Sequence, residues 1–177
     1  PIGLDFHTIA EKRRFGRLSP AEQEMTLRQA SRVSWVEKPL GAIAAFKIEF
    51  QKPDRAVLGK HLESAKLDRC VVQPTSKLSR IEFWELHDTA AFVLSPQGNG
   101  IDTHRVYESL NLGSVPIVHT SPLDQLYRLF PNIIIQDWSD FISCEQLQGW
   151  KDEILQRFGA APFENVQVQE KLELLYW

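Results

Sequence analysis

The stretch with the clearest chemical potential is Ser95-Pro96-Gln97-Gly98-Asn99-Gly100-Ile101-Asp102. It follows an apolar run and feeds a helical segment, so the spacing places it on a βα loop. Two glycines around Asn99 permit positive φ and close approach of backbone to a ligand. The helix start that follows offers unpaired N–H groups and the positive end of the helix dipole, both suited to an anion. Arg105 and Glu108 lie three residues apart inside that helix and share a face. A guanidinium there can neutralise a phosphate, and a carboxylate one turn deeper can accept from two sugar hydroxyls. Together these groups fit a phosphorylated sugar or a nucleotide. The same residues also fit a plainer reading. In that reading the glycines make a turn, Asp102 caps its helix, and Arg105–Glu108 is a surface pair worth a few tenths of a kcal/mol.

Other candidates are thinner. His119-Thr120-Ser121-Pro122-Leu123-Asp124 is a second polar loop after an apolar run. Asp5 could orient His7 as an acid–base pair, although two such residues in a turn-like segment also serve structure alone. His61, His87, His104 and His119 show no metal-ligand spacing, so no metal is expected. The loop at 51–55 contributes Arg55 but carries no G-x-G-x-x-G, which counts against an ordinary NAD or FAD site and a dehydrogenase. A P-loop is absent as well.

The elements that would hold these residues follow from periodicity. Short apolar runs at 42–50, 70–73, 90–94, 115–118 and 132–136 read as strands. Between and after them, 54–65, 76–88, 102–112, 123–130, 143–158 and 164–176 read as helices, with Ser143 as a cap. Ser19-Pro20-Ala21-Glu22 is a helix start with Ser as the cap, followed by the stripe Met25, Leu27, Ala30 and Val33. Strands that are apolar throughout are buried on both faces, which predicts an α/β fold: a doubly wound, Rossmann-like, mostly parallel five-stranded sheet flanked by helices. Residues 1–40 form an N-terminal linker and helix, 41–158 the sheet domain, and 159–177 a C-terminal helix. In such a sheet ligands bind at the carboxyl ends of the strands, so the loops at 51–55, 95–101 and 119–122 should share one edge.

Composition narrows the function classes. The chain has 177 residues, 43% of them hydrophobic and 24% charged, which fits one soluble globular domain with appendages. A net charge of −3 gives no overall basic field, so general nucleic-acid binding is not expected, and the cluster Lys12, Arg13, Arg14, Arg17 reads as a solvated face. No run reaches the length of a membrane span. Cys70 and Cys144 make no disulfide framework and no C-x-x-C pair; they read as two thiols in a reducing, cytoplasmic compartment. The tryptophans read as packing anchors, with Trp177 at the chain end the one placed to meet a further domain.

The segment SPQGNGIDTHRVYESLNLGSVPIVHTSPLDQLYRLFPNIIIQDW resembles the C-terminal half of exostosin-like glycosyltransferases. Those carry a stretch like S-P-x-G-x-G-x-D-x-x-R-x-W-E-A-L-x-x-G-x-x-P-I-V, then a Ser/Asp loop, a Leu-Tyr pair and an apolar strand closing on a Trp. Here Tyr107 stands for the Trp and Ser109 for the Ala. The resemblance covers 93–138, is weaker over 42–92 and the last helix, and extends to GLDFHT near the start. It implies one half-domain of a GT-B glycosyltransferase: the donor half, with a nucleotide-diphosphate sugar as substrate, a glycan or other hydroxyl acceptor, and no further cofactor. By that resemblance Gly98, Asn99 and Gly100 would lie against the donor, Arg105 would face the diphosphate, and Glu108 would face ribose or sugar hydroxyls. Arg55 stands where such families place a phosphate-binding cation, and Asp102, His119 and Ser121 complete the donor-facing set. The acceptor domain, which usually carries the base, would precede this one, and residues 1–40 are too few to form it. The isolated domain is then expected to be inactive or weakly active. As part of a longer membrane-anchored chain it would belong in the Golgi lumen. The alternative is a non-catalytic sugar-nucleotide or protein-interaction module on the same fold.

Overall fold

The computed structural model describes residues 4, 19–30, 33–49, 51–65, 67, 69–141 and 143–174. Asp5, His7, the basic cluster at 12–17 and Trp177 lie outside the described residues. Five parallel strands form one sheet in the order β2-β1-β3-β4-β5. They are β1 (Ala42–Ile43), β2 (Val71–Val72), β3 (Phe92–Leu94), β4 (Val115–His119) and β5 (Ile133–Ile135). The helices are α1 (Pro20–Ala30), α2 (Pro53–Ser64), α3 (Arg80–Leu86), α4 (His104–Asn111), α5 (Asp124–Tyr127), α6 (Gln146–Phe158) and α7 (Val166–Leu174).

Alternation along the strands divides the core into two layers, as expected for a doubly wound sheet. Ala42, Phe92, Leu94, Val115, Ile117, Ile133 and Ile135 pack with Leu58 and Leu62 of α2 and with Leu147 and Ile154 of α6. Their neighbours point the other way. Ile43 and Val93 meet Leu86 of α3. Val118 meets Val106 and Leu110 of α4, Tyr127 of α5, and Val168 and Leu172 of α7. Both faces of every central strand are therefore dry, which is why these strands read as continuous apolar runs.

β1 is much shorter than the run 42–50 suggests. Its last ladder bond is Ala44 N to Val72 O, 2.9 Å. Beyond that, the β2 side reaches Pro74 and the β3 side reaches Pro96, neither of which has an N–H to donate. The chain from 44 to 49 leaves the sheet, and Ile48 packs onto Gly59 of α2 so closely that a Cβ there would come within 2.8 Å. α3 also starts later than the helical reading over 76–88. Ser79 caps it through a reciprocal box with Glu82, leaving 76–79 as an open loop above β2. The same box forms between Ser19 and Glu22 at α1, as its sequence indicates. At α6 the expected Ser143 cap is absent; instead the Gln146 side chain accepts from the Ser143 N–H at 2.9 Å.

The cysteine reading is overturned. Cys70 and Cys144, 74 residues apart, form a disulfide that ties the start of β2 to the approach to α6. Their spacing carries no pairing signal; the fold brings them together, with Arg69 and Glu145 meeting beside them at 3.9 Å. The cysteines thus give no argument for a reducing compartment. No described helix is long and apolar enough to cross a membrane.

Lys38 is the most deeply buried amine among the described residues, 2% exposed. Its Nζ donates to Leu112 O at 2.7 Å and to Ser114 Oγ at 3.1 Å, and Asp88 lies at 3.9 Å. These bonds clamp the segment before β1 onto the α4–β4 turn, where Gly113 takes φ +62°. Burial pulls the Lys38 ammonium down to about 8, with Asp88 opposing. A group that binds its proton less tightly folded than unfolded lowers stability while it is charged. Stability should therefore rise with pH from about 8 towards 10, at most about 1.4 kcal/mol per unit. Denaturant titrations at pH 7.5, 8.5 and 9.5 check this, and Lys38→Met should flatten the rise.

Candidate functional site

The three loops expected along one edge do meet there, and one residue gathers them. Asp54, in the first turn of α2, accepts from Gln97 N–H at 2.6 Å through Oδ2. Its Oδ1 accepts from Trp138 Nε1 at 2.6 Å and lies 3.1 Å from His119 Nδ1. The other ring nitrogen of His119 is 2.7 Å from Gln136 O. One carboxylate thus joins the ends of β1, β3, β4 and β5. Pro53 at the helix start places Asp54 there, since proline fits the first turn and Asp suits the N-terminal end of the dipole.

The residues expected to face a donor divide into two groups. Arg55 braces the 95–101 loop: its Nε donates to Gln97 O at 3.1 Å, and a Cβ on Gly98 would lie 3.0 Å from its guanidinium. Gly98 thus makes room for Arg55. Neither Gly98 nor Gly100 takes a positive φ. Asn99 and Gly100 are exposed. Asp102 is not the helix cap, which falls at Thr103. Its carboxylate accepts from the Tyr107 hydroxyl at 3.0 Å and the Tyr127 hydroxyl at 3.2 Å. Burial, reinforced by that carboxylate, pushes both phenols well above their ordinary range. Ser121 serves the turn into α5, its N–H donating to Asp124 at 2.8 Å and its Oγ accepting from Leu123 N–H at 3.1 Å.

Arg105 stands apart from these. Its Nη2 donates to Ala45 O at 2.9 Å, which holds the guanidinium at the end of β1. Its Nε is buried and has no hydrogen-bond partner among the described residues. Burial, with Arg55 and Arg80 adding like charge against the pull of Glu108, lowers it to about 10. Arg105 lines a cavity of about 740 Å³ between the end of β1, the loop after β2, and α3. Lys47, Lys77 and Arg80 also line it, with Phe46 and Phe83 among the apolar walls and no acidic side chain in the lining. Glu108 sits behind that wall. It is 3% exposed and ion-paired with Arg80.

The cavity lies at the carboxyl ends of β1 and β2, next to the β1–β3 switch point at which open parallel sheets bind ligands, and of the residues expected to face a donor Arg105 alone lines it. The chemistry it offers is neutralisation of a polyanion against a partly apolar wall. The strand reading over 42–50 hides Lys47, and the helical reading over 76–88 hides Lys77 and Arg80. The box Ser79-x-x-Glu82 is the signal that would have separated them. No family model and no curated protein matches the chain.

Proposed function

We propose that this chain is the donor-binding domain of a glycosyltransferase that takes a nucleoside-diphosphate sugar. One observation carries the reading: four cations, Lys47, Lys77, Arg80 and Arg105, converge on a single cavity at the carboxyl ends of β1 and β2. A diphosphate supplies the opposing charge, and charge-assisted hydrogen bonds from guanidinium to phosphate are among the strongest that proteins make. The volume suits a nucleotide-sized ligand. Phe46 and Phe83 offer apolar area for a base or sugar face. The resemblance over 93–138 to exostosin-like enzymes supports the same reading, with acceptor and base belonging to a preceding domain.

Titration calorimetry with nucleoside 5′-diphosphates tests it. The full chain should bind a nucleoside diphosphate and show no comparable heat with the bare nucleoside. Arg105→Ala should weaken that binding by about 1.5–3 kcal/mol, the range for a hydrogen bond to a charged group. Equal affinity in wild type and variant would end the phosphate assignment.

A further inference from the structure

The Arg80–Glu108 pair suggests a division of labour that the residue spacing alone does not. Arg80 comes from the first turn of α3 and Arg105 from the first turn of α4, so two separate helices deliver guanidinium groups to one wall. Arg105 is fixed by Ala45 O, and its buried Nε is left without a partner among the described residues. Arg80 is fixed from behind by Glu108, whose carboxylate is almost wholly covered. The Glu108 carboxylate is thus committed to a guanidinium and does not line the cavity. Two guanidinium groups, with Lys47 and Lys77 beyond them, face a site whose lining has no anion. Glu108 and Glu49 offset part of this charge from outside the lining, through Arg80 and Lys47, and a multiply charged anion would supply counter-charge inside it.

We propose that Arg80 and Arg105 form a two-guanidinium clamp for the diphosphate of the ligand, and that Glu108 is a positioning residue acting through Arg80. This rests on the donor-binding reading above for the ligand's identity, but the clamp itself requires only a diphosphate. Arg80 presents a planar fork of donors to the anion, while Glu108 holds that fork in place. Sugar hydroxyls are then left to groups other than Glu108.

Calorimetry on the full chain with inorganic pyrophosphate, inorganic phosphate and a nucleoside diphosphate tests the clamp. Wild type should bind pyrophosphate at least about tenfold tighter than phosphate, since only the former spans both arginines. Arg80→Ala should lose about tenfold to a hundredfold in pyrophosphate affinity. Glu108→Gln should weaken pyrophosphate in the same direction, and the double variant should bind no worse than Arg80→Ala alone. A Glu108 that merely offsets positive charge would do the reverse, because its removal would tighten the anion. Arg80→Lys keeps the ion pair with Glu108 and hence the fold, but loses the fork; its pyrophosphate affinity should fall severalfold with an unchanged thermal midpoint. Wild-type affinity in Arg80→Ala or in Arg80→Lys, or tighter binding in Glu108→Gln, overturns the clamp. In that case, retained nucleoside-diphosphate binding that still depends on Arg105 leaves the donor reading standing. Pyrophosphate binding without nucleoside-diphosphate binding supports the clamp and sinks the donor reading. Binding of neither overturns both.

Discussion

Reducing the Cys70–Cys144 disulfide lowers the thermal midpoint by about 10 °C. The bridge spans 74 residues. Opening a loop of that length releases about 4 kcal/mol of constraint on the unfolded chain in the loop-entropy account. For a domain of this size each kcal/mol corresponds to about 2–4 °C. The bridge also anchors β2, an edge strand of two residues held by one neighbour, so little else secures that edge of the sheet. Calorimetric scans with and without a phosphine reductant, alongside Cys70→Ala/Cys144→Ala, check the expectation. Reductant should leave the double variant's midpoint unmoved. A wild-type midpoint indifferent to reductant, with the thiols shown free by labelling, would mean that the bridge contributes nothing to stability.

Trp138→Ala destabilises the fold by about 3–5 kcal/mol, the usual cost of emptying a large buried aromatic site. The side chain is 1% exposed and belongs to the main core layer. Its indole N–H also donates to Asp54 at 2.6 Å, and Asp54 holds Gln97 and His119 as well. Trp138→Phe separates the two roles. It keeps most of the packing and loses the bond to a carboxylate, so it should cost about 1.5–3 kcal/mol. Because Asp54 joins the loops at the carboxyl edge, amide exchange in 95–101 should quicken in both variants. Denaturant titrations and exchange measurements read these effects. A Trp138→Phe chain as stable as wild type, with unchanged exchange in that loop, would show that Asp54 does not depend on the indole.

The layer architecture is legible in the residues because it depends on local periodicity. Apolar runs such as 90–94, 115–118 and 132–136 are continuous, so both faces must be covered, and the helices between them supply the cover. The meeting of the loops at 51–55, 95–101 and 119–122 follows from parallel strands alone, since every βα loop then leaves from the same edge. Arg105 is likewise legible: a cation one turn into the helix after such a loop can face only a limited volume, and it does line the cavity.

What periodicity does not carry are pairings between residues distant in the chain. Cys70 and Cys144 look like two unrelated thiols until β2 and the approach to α6 are placed side by side. Glu108 shares a helix face with Arg105, yet it pairs with Arg80 from another helix, because α3 and α4 pack on the same side of the sheet. Gly98 is open to a backbone role by type, but Arg55 occupies the space that its missing side chain leaves. Asp102 is adjacent to a helix start, but two buried phenols from α4 and α5 claim its carboxylate. In each case residue type and spacing leave more than one partner open. The choice falls to which partner the tertiary fold brings within about 3 Å, since a buried polar group left unpaired is costly. The residues by themselves determined a doubly wound sheet and the edge at which its βα loops gather. Only the packed structure decided which side chains at that edge hold the loops and which face the cavity.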